Sequence, residues 1–275
     1  MDRNLLSDSR PARGRTGWAG CVTLNYAGLT DVGCRRSENQ DRWGADAELG
    51  LFIVADGVAG SPNGALAAQL VVDLLPGYVT RHLHADTEAT ATESRGSTDA
   101  GSALLHAVAA LSDDLHDRGQ NDPEMTGATT TVVAALVTGH HAVIAHLGDS
   151  RAFLFREGTL EQLTTDHSLV QALIDAQSIT AEEAAHHPLR NMIINYVAMQ
   201  PPATPELTSV DLCAGDQLLL CTDGLHGVVP PSDLIAILAS QTDRSEACAD
   251  LIAAARAAGG PDNITAVLIG PVGLT

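Results

Sequence analysis

Leu51-Phe52-Ile53-Val54-Ala55-Asp56-Gly57 is an apolar run that stops abruptly on an aspartate and a glycine. A short, uninterrupted apolar segment closed by a turn pair reads as a buried strand. The same grammar recurs in Gln217-Leu218-Leu219-Leu220-Cys221-Thr222-Asp223-Gly224. A third carboxylate stands in Pro261-Asp262-Asn263, just before the apolar run Ile264 to Ile269. A fourth stands in Gly148-Asp149-Ser150, just after Ala142-Val143-Ile144-Ala145. Any one strand-end aspartate is more often an Asx turn or a helix cap. Four strand ends that present bare carboxylates side by side repel one another unless a cation sits between them. The recurrence therefore points to a divalent-metal centre at one edge of a sheet framework.

Further strand-type runs extend outward from these, at Cys21 to Tyr26, Thr130 to Val137, His141 to His146 and Arg151 to Phe155. Thr138-Gly139-His140 and Arg156-Glu157-Gly158 read as hairpin turns. Helical spacing of apolar residues predicts a helix over 64–83, with Pro76 kinking or dividing it, and another over 103–117. The Thr-, Ser- and Glu-rich stretch 86–101 between them reads as a mobile loop. A helical block covers 166–187, and two more helices follow with Ser232 and Ser245 as N-caps and Gly259-Gly260 as the stop. Strands that cluster with few alternating helices exclude a doubly wound parallel sheet. The expected class is α+β: two packed antiparallel sheets with helix pairs outside, a four-layer α-β-β-α sandwich. Residues 1–17 are expected to be a flexible tail and 18–275 one domain.

The chain has 275 residues, 45% of them hydrophobic, and a formal net charge of −19. Such acidity speaks against nucleic-acid binding and against docking on anionic membranes. All 15 basic residues are Arg, which excludes Schiff-base and P-loop lysine chemistry. The five cysteines (Cys21, Cys34, Cys213, Cys221, Cys248) are widely spaced, as expected of reduced, mostly buried thiols in a cytoplasmic protein. No secretory leader and no membrane-spanning run is expected.

Eight motifs in order then resemble one family. They include Thr30-Asp31-Val32-Gly33 with Arg36 and Asn39-Gln40-Asp41, Val54-Ala55-Asp56-Gly57, and Thr126-Gly127-Ala128-Thr129-Thr130. Gly148-Asp149-Ser150-Arg151, Thr165-Asp166-His167-Ser168 and His187-Pro188-Leu189-Arg190-Asn191 follow. Cys221-Thr222-Asp223-Gly224 and Asp262-Asn263-Ile264-Thr265 complete the set. In this order they resemble the metal-dependent type 2C serine/threonine protein phosphatases of bacterial type.

The resemblance implies two ions of Mn²⁺ or Mg²⁺ at one end of a β-sandwich. Asp56 would bridge them, the Gly57 carbonyl would bind one, and Asp223 and Asp262 would hold the other. Asp149 with Asp223 would form a weaker third site. Asp41 would accept from water at the centre, and Arg36 would bind the phosphoryl group. Asn263 would support the turn that aims Asp262, and Thr129 and Thr130 would pack beneath the site. A flap at about 169–193 would shape substrate choice. The implied function is hydrolysis of phosphoserine and phosphothreonine in proteins, against Ser/Thr kinases, with phosphorylated proteins as partners and neither nucleic acid nor membrane. Two other readings compete: a non-catalytic, metal-binding regulatory or docking module, and a phosphoesterase for small esters. The chain departs from its relatives where they carry a histidine after Asp-Gly. That position is Val58 or Ser61 here. Gln177 also stands where relatives often have glycine.

Overall fold

The computed structural model describes residues 12–13, 23–58, 60–89, 96–200 and 202–272. In chain order, β1 (Ala12–Arg13), β2 (Thr23–Asp31), β3 (Asp41–Asp46) and β4 (Leu51–Asp56) precede two long helices, α1 (Gly64–Ala89) and α2 (Gly96–Asn121). Four strands follow: β5 (Val132–Thr138), β6 (His141–Leu147), β7 (Arg151–Arg156) and β8 (Thr159–Gln162). Short helices α3 (Leu169–Asp175) and α4 (Ala181–Ala185) lead to β9 (Glu206–Asp211) and β10 (Gln217–Cys221). The chain closes with α5 (Asp223–His226), α6 (Pro231–Ser240), α7 (Arg244–Ala257) and β11 (Ile264–Val272).

Two antiparallel sheets result, ordered β1-β2-β11-β10-β7-β8 and β3-β4-β5-β6-β9. Alternation along each strand splits the apolar residues between two interfaces. In β4, Phe52 and Val54 face the opposite sheet, where they meet Leu154, Leu220 and Val267. Leu51, Ile53 and Ala55 face the other way, onto Val71, Leu75, Leu104 and Leu111 of α1 and α2. A third cluster joins Leu219, Ala266 and Leu268 to Leu234, Leu238, Leu251 and Ile252 of α6 and α7. The expected order of layers, helices–sheet–sheet–helices, is the one observed.

Several local expectations are corrected. Helices reach Ala89 and resume at Gly96, so most of the expected loop 86–101 is helical. Pro76 sits inside a continuous α1, where Leu75 and Val79 are fully buried against the sheet and hold the turn that proline weakens. The helical block at 166–187 is two short helices, because Gln177 adopts φ +55° between them. That left-handed conformation is the one glycine takes without strain. A capping box of Thr180 and Glu183 then starts α4. Asp243, not Ser245, caps α7, accepting from the Ser245 and Glu246 amides. Pro230 and Pro231 open α6 in place of Ser232. Cys34 and Cys213 are exposed, so only Cys221 and Cys248 fit the buried-thiol expectation among the described residues. Cys21 and nearly all of the expected tail lie outside the described residues, though Ala12–Arg13 pairs with Thr23 and Leu24.

Leu104 is fully buried between α2 and the sheet. Leu104→Ala is expected to destabilise the fold by about 2–5 kcal/mol, read as a lower denaturant midpoint at unchanged slope.

Candidate metal centre

One end of the sandwich gathers the strand-end carboxylates. Antiparallel pairing sets Asp41 directly opposite Asp56, at the start of β3 and the end of β4. Asp223 follows β10 and Asp262 precedes β11 in the other sheet. Asp149 lies in the link from β6 to β7, which crosses between the sheets. Asp56, Gly57, Asp149, Asp223, Asp262 and Arg36 all line one cavity of about 300 Å³. Asp41 is fully buried just behind Asp56.

Hydrogen bonds fix the Asp56 backbone and the Asp41 and Asp262 carboxylates. The Asp56 amide donates to Thr131 Oγ1 at 3.1 Å. Its carbonyl accepts from the Thr131 amide at 2.8 Å and the Thr130 hydroxyl at 2.8 Å. Asp41 Oδ2 accepts from Thr222 Oγ1 at 2.9 Å and Thr265 Oγ1 at 2.7 Å, both from the opposite sheet. Its Oδ1 is buried and has no hydrogen-bond partner. Asn263 bonds the Asp262 carboxylate through its amide at 2.8 Å. Its side chain ties in the Arg36 loop, accepting from the Gln40 amide and donating to the Val32 and Glu38 carbonyls. The turns carrying Asp223 and Asp262 press together so closely that a Cβ on Gly224 would meet the Asn263 carbonyl oxygen at 1.8 Å. Gly33, at φ +77°, lies equally tight against the Asp262 carbonyl.

This crowding is electrostatically unfavourable in the ion-free protein. Burial pushes the Asp41 carboxyl up to about 7, against the hydroxyl bonds that favour its ionised form. Burial, then repulsion from Asp41, Asp223, Asp149 and Asp262, raises Asp56 well above its ordinary value. Burial and then Asp262 raise Asp223 to about 6, and burial and then Asp223 raise Asp149 to about 8. Arg36 is the compensating cation in the cavity: its Nη2 donates to Asp262 Oδ2 at 2.7 Å. The candidate ligands, the carboxylates of Asp56, Asp149, Asp223 and Asp262 and the Gly57 carbonyl, are all hard oxygens, a set that suits Mg²⁺ or Mn²⁺ rather than soft, thiolate-seeking ions. Clustered anions with raised carboxyls and an orphaned buried oxygen fit a site shaped for divalent cations.

The sequence reading missed several residues. Thr222 and Thr265 stand in quoted motifs, yet their support of Asp41 depends on which strands are neighbours. Thr129 lines the cavity rather than packing beneath it, whereas Thr130 is fully buried. Asn191, Ile193 and Tyr196 form the cavity wall at the end of the expected flap. Of the two departures after Asp56-Gly57, Val58 lines the cavity, while the Ser61 hydroxyl is tied to the Gly127 carbonyl.

The sign of the pH dependence follows from these shifts. A carboxyl whose folded pKa is raised above 3.8 binds more protons folded than unfolded, so stability falls as pH rises toward the folded value. Below 6.5, buried His146, His167 and His226, all lowered, oppose this trend because they must charge on unfolding. Chelator-treated protein is therefore expected to lose thermal stability from about pH 6.5 to about pH 8.5, and Mn²⁺ is expected to restore most at the alkaline end. A melting temperature that is flat across this window, with and without Mn²⁺, would contradict the assignment.

The sequence matches the family model "Protein phosphatase 2C" over residues 35–265. It is 36% identical over 248 residues to the serine/threonine protein phosphatase PstP of Mycobacterium tuberculosis, spanning 90% of this chain but only 45% of that protein. It is 34% identical over 245 residues to the protein phosphatase PhpP of Streptococcus pneumoniae, spanning 88% of this chain and 95% of that one. The crystal structure of the PstP catalytic domain with two manganese ions superposes with a TM-score of 0.71 at 33% identity, covering 92% of this chain and 99% of that one. The chain belongs to the protein phosphatase 2C family.

Proposed function

We propose that this chain hydrolyses phosphoserine and phosphothreonine in proteins, undoing the work of Ser/Thr kinases. The convergence of Asp56, Asp149, Asp223, Asp262 and Arg36 on one cavity carries the reading. The relatives are named serine/threonine protein phosphatase and protein phosphatase, which favours an active enzyme over a docking module. Asp56, the Gly57 carbonyl, Asp223 and Asp262 would hold two ions of Mn²⁺ or Mg²⁺, a reading that the two manganese ions of the similar catalytic domain support, and Asp149 with Asp223 would hold a weaker third. When bound, the ions neutralise phosphoryl oxygens and make water acidic enough to attack near neutral pH.

The chain's own residues do the rest. Arg36 offers a planar guanidinium fork that fits a phosphoryl dianion bidentately. Its bond to Asp262 would compete with a cation on that carboxylate. Asp41, fixed through Oδ2 by two threonines, has Oδ1 free to accept from a water and orient it. Val58 lines the cavity and presents no proton to the departing alcohol. The substrates are phosphorylated proteins. The described cysteines form no disulfide, which supports a cytoplasmic location, and no described helix is long and apolar enough to cross a membrane.

Turnover of a phosphothreonine peptide is expected with Mn²⁺ and is expected to vanish with EDTA. Asp223→Asn is expected to lower kcat/KM by more than the roughly 10–100-fold that loss of a supporting residue costs. Full activity in EDTA would defeat the proposal. Val58→His, which places an acid at the cavity wall, is expected to add a basic limb to the pH–rate profile, whereas Ser61→His is expected to leave it unchanged.

A further inference from the structure

The chain carries a formal charge of −19, and most of its described arginines are engaged. Arg118, Arg151, Arg156 and Arg256 pair with Asp114, Asp166, Asp216 and Asp31. Arg42 bonds Gln69 and two backbone carbonyls, and Arg81 lies over the Tyr78 ring. Among the described residues, Arg35 and Arg190 are the exposed guanidiniums with no hydrogen bond, ion pair or ring contact.

Both adjoin, in sequence, residues that line the same cavity. Arg35 precedes Arg36 and Arg190 precedes Asn191, and Arg36 and Asn191 line that cavity from the two loops that border it. Each free cation is thus one residue, about 3.8 Å along the backbone, from a lining residue. Five other arginines, Arg36 among them, find a carboxylate. These two are left open. Few exposed acids share their two loops: Glu38 lies two residues after Arg36, and on the flap Glu183 caps α4 and Asp175 accepts from Gln171, leaving Glu182.

We infer that Arg35 and Arg190 select substrates, by pairing with acidic side chains that flank the phosphorylated residue. The inference rests on the phosphatase reading and adds the substrate class: phosphoserine or phosphothreonine in an acidic stretch. The protein's overall field repels such a segment, so the two guanidiniums act at short range, as local acceptance at the mouth rather than as long-range steering. Pairs of this exposed kind are worth a few-fold each.

The test compares kcat/KM for phosphothreonine peptides flanked by Asp, by Ala and by Arg, all with saturating Mn²⁺. The Asp-flanked peptide is expected to exceed the Ala-flanked one by about fivefold, and this ratio is expected to shrink as salt rises from about 50 mM to about 500 mM. In Arg35→Gln/Arg190→Gln the ratio is expected to approach one. Arg190→Glu is expected to reverse the order in favour of the Arg-flanked peptide, a result that a merely structural role would not produce. Arg81→Gln, remote on α1, is expected to keep the wild-type ratio. Equal turnover of all three peptides by the wild type, or a ratio that survives both substitutions, overturns the inference and leaves the phosphatase reading standing. Turnover of none overturns both.

Discussion

Repulsion between buried carboxylates is the constraint on which the rest of this structure depends. Asp41, Asp56, Asp149 and Asp223 are packed at one end of the sandwich, each raised by burial and by its neighbours. Left to themselves such groups separate or take up protons. They stay together because their positions are set by backbone rather than by side-chain preference. Asp41 and Asp56 are register partners, and Asp223 and Asp262 sit on turns wedged against each other at Gly224. The apolar interfaces on both faces of each sheet stabilise this arrangement and leave cation binding to supply the favourable interaction the carboxylates lack.

Much of this was legible in the sequence. Apolar runs that stop on Asp-Gly specify both the strand and the point where its last carboxylate emerges, so Asp56 and Asp223 were readable from pattern alone. Turn chemistry was equally clear at Gly139 and at Glu157-Gly158, which take positive φ in the two hairpins. Strands β3 and β9 were missed because their composition is polar: Asp41–Asp46 contains a glycine and two acids, and Glu206–Asp211 is an edge strand facing solvent. Stretch 86–101 looked like a loop because Thr, Ser and Gly are weak helix formers, yet α1 and α2 extend into it, each supported by the other. The hydroxyls under Asp41 were illegible for another reason. They act across strand and sheet neighbours that no single-chain pattern reveals.

Behind the flap, a second set of bonds joins the cavity wall to the Asp149 turn. His167 donates its amide to the Gly148 carbonyl and accepts the Gly148 amide on Nδ1 at 3.2 Å. Its own carbonyl receives the Ile194 amide, and Leu169 donates to Met192. Arg151 forks onto Asp166 with two bonds of 2.7 Å. The wall segment 191–194 and the turn that carries Asp149 are therefore anchored to one short segment, 165–169. A displacement of the wall is transmitted to the Asp149 turn through these bonds rather than dissipated in a loose loop.

The hydroxyl bonds to Asp41 carry a kinetic consequence. Asp41 belongs to one sheet, Thr265 lies in β11 of the other and Thr222 directly follows its β10, so this contact exists only once the two sheets have docked. The cavity likewise draws Asp56 from one sheet and Asp223 and Asp262 from the other. A chain with a single sheet formed holds at most half of the oxygen donors and has little affinity for the ion. Interactions that form after the rate-limiting barrier slow escape from the native state without hastening arrival. If sheet docking comes late, cations act on this protein as a latch: they leave the time needed to fold largely unaltered and lengthen the lifetime of the folded molecule.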